Sequence, residues 1–215
     1  LMDNIILNSY SKISDLNVSR ETCNELESFI SMIQEKNTEI NIISKKMYEK
    51  SAIRERHIID SAQIIDFVDL NSNTTTDIGS GGGMPGIIVA IILKNMKNNM
   101  NVHLYEKSYH KSHFLKEVSK KLNLNTKVFQ KNIFEIKNLE TGTIMSRAFK
   151  PMPVVLELVY ENFSKYKNLI FFMGKSGKKI FENSKKNWEL EYIEKKSLTS
   201  EDSFLINIKK IKKKN

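Results

Sequence analysis

The chain has 215 residues, enough for one well-filled core and a small extra subdomain but not for two full-sized domains. Its 34 Lys and Arg against 25 Asp and Glu give a net charge of +9, the sign a polyanionic partner requires, although charge alone does not separate nucleic acid from anionic lipid. A single cysteine, Cys23, excludes an internal disulfide and a Cys-cluster zinc site, and no apolar run reaches membrane-span length, so a cytoplasmic monomer with no metal and no membrane association is expected.

Nothing near the start resembles a signal peptide. Asp3 and Asn4 stand where a basic region belongs, and Asn8, Ser9 and Ser11 interrupt the short apolar patch. Ser19 is placed to cap a helix whose apolar positions Cys23, Leu26, Phe29, Ile30 and Ile33 form one buried stripe. Asn37 to Ser44 break that pattern, and a second helical stretch from Lys45 carries Ile53, His57, Ile58 and Ala62 toward Ile65 before the turn Asn71-Ser72-Asn73. Residues 1–72 are therefore expected to form a helical cap, residues 73–211 the main domain and residues 212–215 a basic tail. The lysine-rich end, Lys209 to Lys214, reads either as a frayed end or as a phosphate-contacting arm.

From Thr74 the pattern changes to short β-branched or apolar runs alternating with helical stretches, the signature of a mostly parallel α/β sheet with crossover helices. The expected strands are Thr74 to Ile78, Val102 to Glu106, Lys127 to Gln130, Thr143 to Ser146 and Leu169 to Met173. After a short helix beyond Gly177, Glu189 to Glu194 and Ser203 to Ile211 read as an antiparallel hairpin closing the sheet edge.

The segment from Thr76 to Gly86 holds five of the chain's 8 glycines between a strand and an apolar helix, the context of a nucleotide-binding turn. Gly81, Gly83 and Gly86 satisfy GxGxxG, which alone is weak evidence for a dinucleotide. Pro85 before the third glycine, and Asp77 two places before Gly79, fit better the acidic strand end and Gly-x-Gly-x-Gly of S-adenosylmethionine-dependent methyltransferases. Asp77 is then expected to meet the donor's ammonium, or else to cap the loop's own amides. Glu106 can accept both hydroxyls of a ribose, as it would in a dinucleotide enzyme, and Asn132-Ile133-Phe134 is placed to read adenine or to form an ordinary turn.

Two other patterns fail. Gly174-Lys175-Ser176 imitates a P-loop, but Leu169 stands where its first glycine belongs. His103, His110 and His113 lack a carboxylate or Cys cluster at metal-ligand spacing, and read as part of a polar helix face with Lys107, Lys111, Lys116, Lys120 and Lys121.

Taken together, Asn41-Ile42-Ile43-Ser44, Arg56-His57-Ile58-Ile59-Asp60-Ser61, the Asp77 to Gly86 loop, Glu106, Lys111-Ser112-His113-Phe114-Leu115 and Ser146-Arg147-Ala148-Phe149 resemble the glucose-inhibited division protein B family, the RsmG-type methyltransferases, over roughly residues 20 to 180. The resemblance implies a Rossmann-like class I methyltransferase sheet and methyl transfer from S-adenosylmethionine to guanine N7 in the decoding-region loop of 16S rRNA, free or in the 30S subunit. By position it implies cofactor contacts from Gly79, Met84, Ile133, Phe134 and Arg147, and the other loop residues Ser80, Gly81 and Gly83 are expected to line the cofactor with them. Asn132, His110 and Met173 depart from a family that often has Arg, Lys and Lys there.

Guanine N7 presents its lone pair without losing a proton, so no general base is expected and positioning carries the rate. Phe149 is a candidate stacking surface for the base, or core packing. Arg56 and Asp60 are expected to pair on a lid or bracing helix with His57 facing elsewhere. Arg147, Lys111, Lys175 and Lys178 are the expected RNA contacts. A dinucleotide oxidoreductase and a non-catalytic ribosome-binding relative are the competing readings.

Overall fold

The computed structural model describes residues 4–16, 18–44 and 48–214. Helix α1 (Asn4–Tyr10) and a 3-10 segment (Ser11–Leu16), within the expected helical cap but not delimited from the sequence, precede α2 (Arg20–Lys36). The Ser19 side chain accepts the Thr22 amide at 3.2 Å, Glu21 and Lys36 match the helix dipole, and the expected stripe is buried. The expected helix start at Lys45 lies outside the described residues. Helix α3 (Lys50–Ile53) instead runs into a wide π-type segment (Arg54–Ile59), then α4 (Asp60–Ala62) and a 3-10 turn (Gln63–Phe67).

The main sheet contains β1 (Thr74–Ile78), β2 (Asn101–Tyr105), β3 (Thr126–Phe129), β5 (Thr143–Ser146), β7 (Asn168–Met173), β8 (Trp188–Lys196) and β9 (Phe204–Lys213). They lie in the order β3-β2-β1-β5-β7-β9-β8, with β9 antiparallel to both neighbours and the other pairs parallel. The chain order reverses between β1 and β5, which opens a crevice at the carboxyl ends of these strands. A separate short pair, β4 (Leu139–Glu140) with β6 (Phe163–Lys165), was not expected; runs of two and three residues carry no readable period.

Helix α5 (Gly86–Asn95) is buried at every position from Gly86 to Leu93. Its sequence is apolar all round because it lies between the sheet and the N-terminal helices, with no face left for water. Along the strands, side chains alternate between two cores. Met145, Ile170 and Leu205 face α5 and the cap, whereas Ile144, Leu169, Phe171 and Ile206 face α7 (Met152–Asn162) and α8 (Gly177–Ser184). The sixth helix, α6 (Tyr109–Lys121), joins β2 to β3.

The C-terminal lysines correct the expectation of a tail. Lys212 and Lys213 continue β9, where Lys213 reaches Glu157 at 2.7 Å, and the Lys214 amide bonds to the Asn187 carbonyl at 2.9 Å. In the cap, Arg54 forks onto both oxygens of Glu27, which also accepts the Tyr10 hydroxyl at 2.8 Å. Burial and the Glu27 charge push the Tyr10 phenol far up. Replacing Arg54 with Ala strands the Glu27 charge, and we expect a stability loss of about 3 kcal/mol in urea denaturation. The apolar pair Arg54→Met with Glu27→Leu should recover most of it.

Candidate functional site

The turn after β1 is tied down bond by bond. Asp77 is 1% exposed and its Oδ2 accepts the Gly86 amide at 2.9 Å, anchoring the start of α5 to the strand. Gly79 and Ser80 both donate their amides to the Tyr105 carbonyl at 3.0 Å, and the Gly83 amide donates to the Ser80 carbonyl at 2.7 Å. Glu106 receives the Gly81 amide on Oε2 at 2.8 Å and the Ser108 amide on Oε1 at 2.7 Å. The loop amides are thus largely engaged by the protein itself.

Gly79 has φ +72, and a Cβ there would stand 2.0 Å from the Phe149 ring. The residue is glycine because Phe149 lies on it. Gly86 is fixed by close approach, since a Cβ would meet Leu104 at 2.3 Å and the Asp77 carboxylate at 2.6 Å.

Beyond β1, β2 and β3 opens a cleft of about 470 Å³, within the range for a small-molecule site. Gly79, Gly81 and Glu106 lie on one side, and Ile133 and Phe134 on another, behind Asn132. Asn132 accepts the Phe134 amide and donates to Glu135 at 2.9 Å, so it shapes this wall rather than standing free. Phe149 closes a third side, its ring 6.0 Å from Phe134, and Lys107, Lys111, Lys131 and Lys150 complete the lining.

Asn162, which sequence reasoning missed, is 2% exposed and donates its amide group to the carbonyls of Ile133, Phe134 and Ile136 at 3.2, 3.1 and 2.7 Å. It holds the wall from behind. Its sequence signal, a polar residue at the end of an apolar helix, is too common to find it. Lys107, Lys131 and Lys150 were legible only as general positive charge.

Gly79, Gly81, Glu106, Asn132, Ile133, Phe134, Phe149 and Lys111 are brought together as expected. Others are not. Asp77 takes the loop-capping alternative, and Ser80, 2% exposed, bonds to the Asp77 carbonyl. Gly83 packs on Ile87 and Leu115, and Met84 on the apolar core, so both support the loop from beneath. Lys175 and Lys178 border a different cleft alongside Glu194, Glu201 and Asp202, with Lys178 3.7 Å from Glu194. Among the described residues no group of three His, Cys, Asp or Glu is placed to hold a metal ion.

Arg147 departs most from expectation. Its guanidinium donates to His57 Nδ1 at 3.2 Å, to the Arg56 carbonyl at 2.7 Å and to Asp60 at 3.1 Å, with the Phe172 ring 5.5 Å away. It therefore turns away from the cleft, and Asp60 takes Arg147 in place of Arg56, whose side chain is exposed. The other Asp60 oxygen accepts from Gln63 and Thr199, so the bracing expected of this helix extends to the β8–β9 hairpin.

With this geometry in hand, the chain was compared with known proteins. The family model GidB, described as rRNA small subunit methyltransferase G, matches residues 22–205. The chain belongs to this family. It is 63% identical over 210 residues to Ribosomal RNA small subunit methyltransferase G of Pelagibacter ubique, covering 98% of this chain and 99% of that protein. Two solved structures share the fold. One is a mutant of MtNAS in complex with S-adenosylmethionine, with TM-score 0.55, 14% identity, and 95% of this chain and 83% of that one covered. The other is a SAM-dependent methyltransferase from Aquifex aeolicus, with TM-score 0.53, 14% identity, and 76% of this chain and 95% of that one covered. The sheet of this family member is thus a Rossmann-like methyltransferase sheet. Among its described residues, no helix is long and apolar enough to cross a membrane.

Two buried groups of the site set opposite pH dependences. Burial raises Asp77 from 3.8 to about 7 against the pull of the Gly86 amide, so the folded state holds a proton that the unfolded chain has released. Stability from this group falls as pH rises from about 4 to about 7. Burial, then the Arg147 charge, lowers His57 from 6.5 to about 4, so its contribution is lost as pH falls from 6.5 toward 4. Urea midpoints across this range should climb with pH more steeply in Asp77→Asn than in the unaltered protein. They should fall with pH in His57→Gln.

Proposed function

We propose that this protein transfers the methyl group of S-adenosylmethionine to N7 of a guanine in the decoding-region loop of 16S rRNA. The observation that carries this reading is the cleft itself: a nucleoside-sized space at the sheet's switch point, with one carboxylate, an apolar wall and four lysines. The family's description as rRNA small subunit methyltransferase supports the substrate class.

The residues fit an adenosyl donor. Glu106 spends two acceptor positions on Gly81 and Ser108, and a carboxylate has about four, so two remain for ribose hydroxyls. Ile133 and Phe134 offer apolar faces to adenine, and Asn132 a polar edge. S-adenosylmethionine supplies an electrophilic methyl group carried on a sulfonium. Phe149, seated on Gly79 and half-buried at the cleft wall, is placed to orient the acceptor base.

Among the described residues lining the cleft, Glu106 is the single acid and none is a histidine, and Glu106 is committed to main-chain amides. A nucleophile that must lose a proton would need a base; guanine N7 does not. The chain's work is then to hold two reactants in line and to neutralise RNA phosphate. Lys111 does this at the cleft, and Lys175 and Lys178 beyond β7.

Isothermal titration should give micromolar affinity for S-adenosylmethionine and none for NAD. Glu106→Ala should weaken the former by at least about tenfold, through lost charge-assisted hydrogen bonds. Methyl transfer to 30S subunits and to naked 16S rRNA, with nucleoside digestion, should yield 7-methylguanosine from at least one of them. Donor binding without product from either contradicts the enzymatic reading. No single carboxylate or histidine substitution should remove turnover while leaving donor and RNA affinity intact, and finding one would refute base-free chemistry.

A further inference from the structure

The first turn of α6 carries an aromatic surface that neither the core nor the donor cleft uses. Tyr109 follows the cap residue Ser108 and is 62% exposed. Its ring lies 6.1 Å from the His113 ring at an interplanar angle of 13°, and 5.5 Å from His110 at 80°. Lys107 and Lys111, two positions to either side in sequence, both line the cleft, so Tyr109 stands on the helix end that borders the cleft. The acidic neighbour, Glu117, approaches His113 at 3.5 Å and is shared with Lys36 at 3.8 Å.

We infer that Tyr109, backed by His113, is a stacking platform for an unpaired RNA base adjacent to the guanine that is methylated. The inference rests on the proposed function, and three features carry it. Bases of single-stranded RNA stack on tyrosine and histidine faces, whereas the bases inside an RNA duplex already stack on one another. The flanking lysines supply cations for the phosphates on either side of such a base. A guanine presented to a recessed donor must leave its own stack, which deprives its neighbour of a partner that Tyr109 replaces. His110 and His113, whose rings lie beside Tyr109, gain a role as the platform's support.

The test uses the full chain with a labelled single-stranded RNA and a blunt RNA duplex, each titrated at several salt concentrations. Tyr109→Ala should weaken single-strand binding about tenfold, leave duplex binding and the salt slope unchanged, and raise KM for RNA with little effect on kcat. Tyr109→Trp should restore binding, and S-adenosylmethionine affinity should not move in either variant. The platform is overturned if Tyr109→Ala binds the single strand as tightly as the unaltered protein does. An equal loss on the duplex, failure of Tyr109→Trp to restore binding, or no binding of the unaltered protein to the single strand would overturn it too. If 7-methylguanosine forms but Tyr109→Ala is indistinguishable, the platform fails and the reaction stands. If none forms but Tyr109→Ala still loses single-strand binding, the reaction fails and the platform stands.

Discussion

Two carboxylates holding three backbone amides fix the crevice above the sheet. Asp77 binds Gly86 and so joins β1 to α5, while Glu106 binds Gly81 and Ser108 and so joins the loop to β2 and to the cap of α6. The loop needs glycine for backbone geometry and close packing, but its shape comes from these acids. The main-chain bonds of Gly79 and Ser80 to Tyr105 lock the same turn to the neighbouring strand. The bonds that shape the site are made within the chain itself, which suits chemistry that depends on alignment.

The N-terminal helices share this frame. They seal α5 against the sheet, and through His57, Asp60 and Gln63 they reach Arg147 after β5 and the β8–β9 turn. Three distant parts of the chain therefore meet around one guanidinium. Arg147 is better understood as the clasp of the cap than as a residue of the cleft.

The strands were legible as short β-branched or apolar runs between helical stretches, and β1 and β5 have the expected bounds. Glu106 and the Asn132 to Phe134 turn were legible because a parallel sheet delivers strand ends to one side. What escaped was long-range pairing. Spacing made Arg56 the natural partner of Asp60, but Arg147, 87 residues later, offers a guanidinium that also reaches His57 and the Arg56 carbonyl. Asn162 and the short β4–β6 pair were hidden for the same reason, since their partners are set by the fold rather than by neighbours in sequence.

We propose that the cleft anchored by Asp77 and Glu106 seats the adenosyl donor, with Glu106 the one carboxylate among its described lining residues. A crystal structure with S-adenosylhomocysteine tests this most directly. It should show the ribose hydroxyls on Glu106 with the Gly81 and Ser108 amides still bound to that carboxylate, and adenine against Ile133 and Phe134. A ligand bound away from Glu106, or a loop that had to release Glu106 to admit it, would contradict the account.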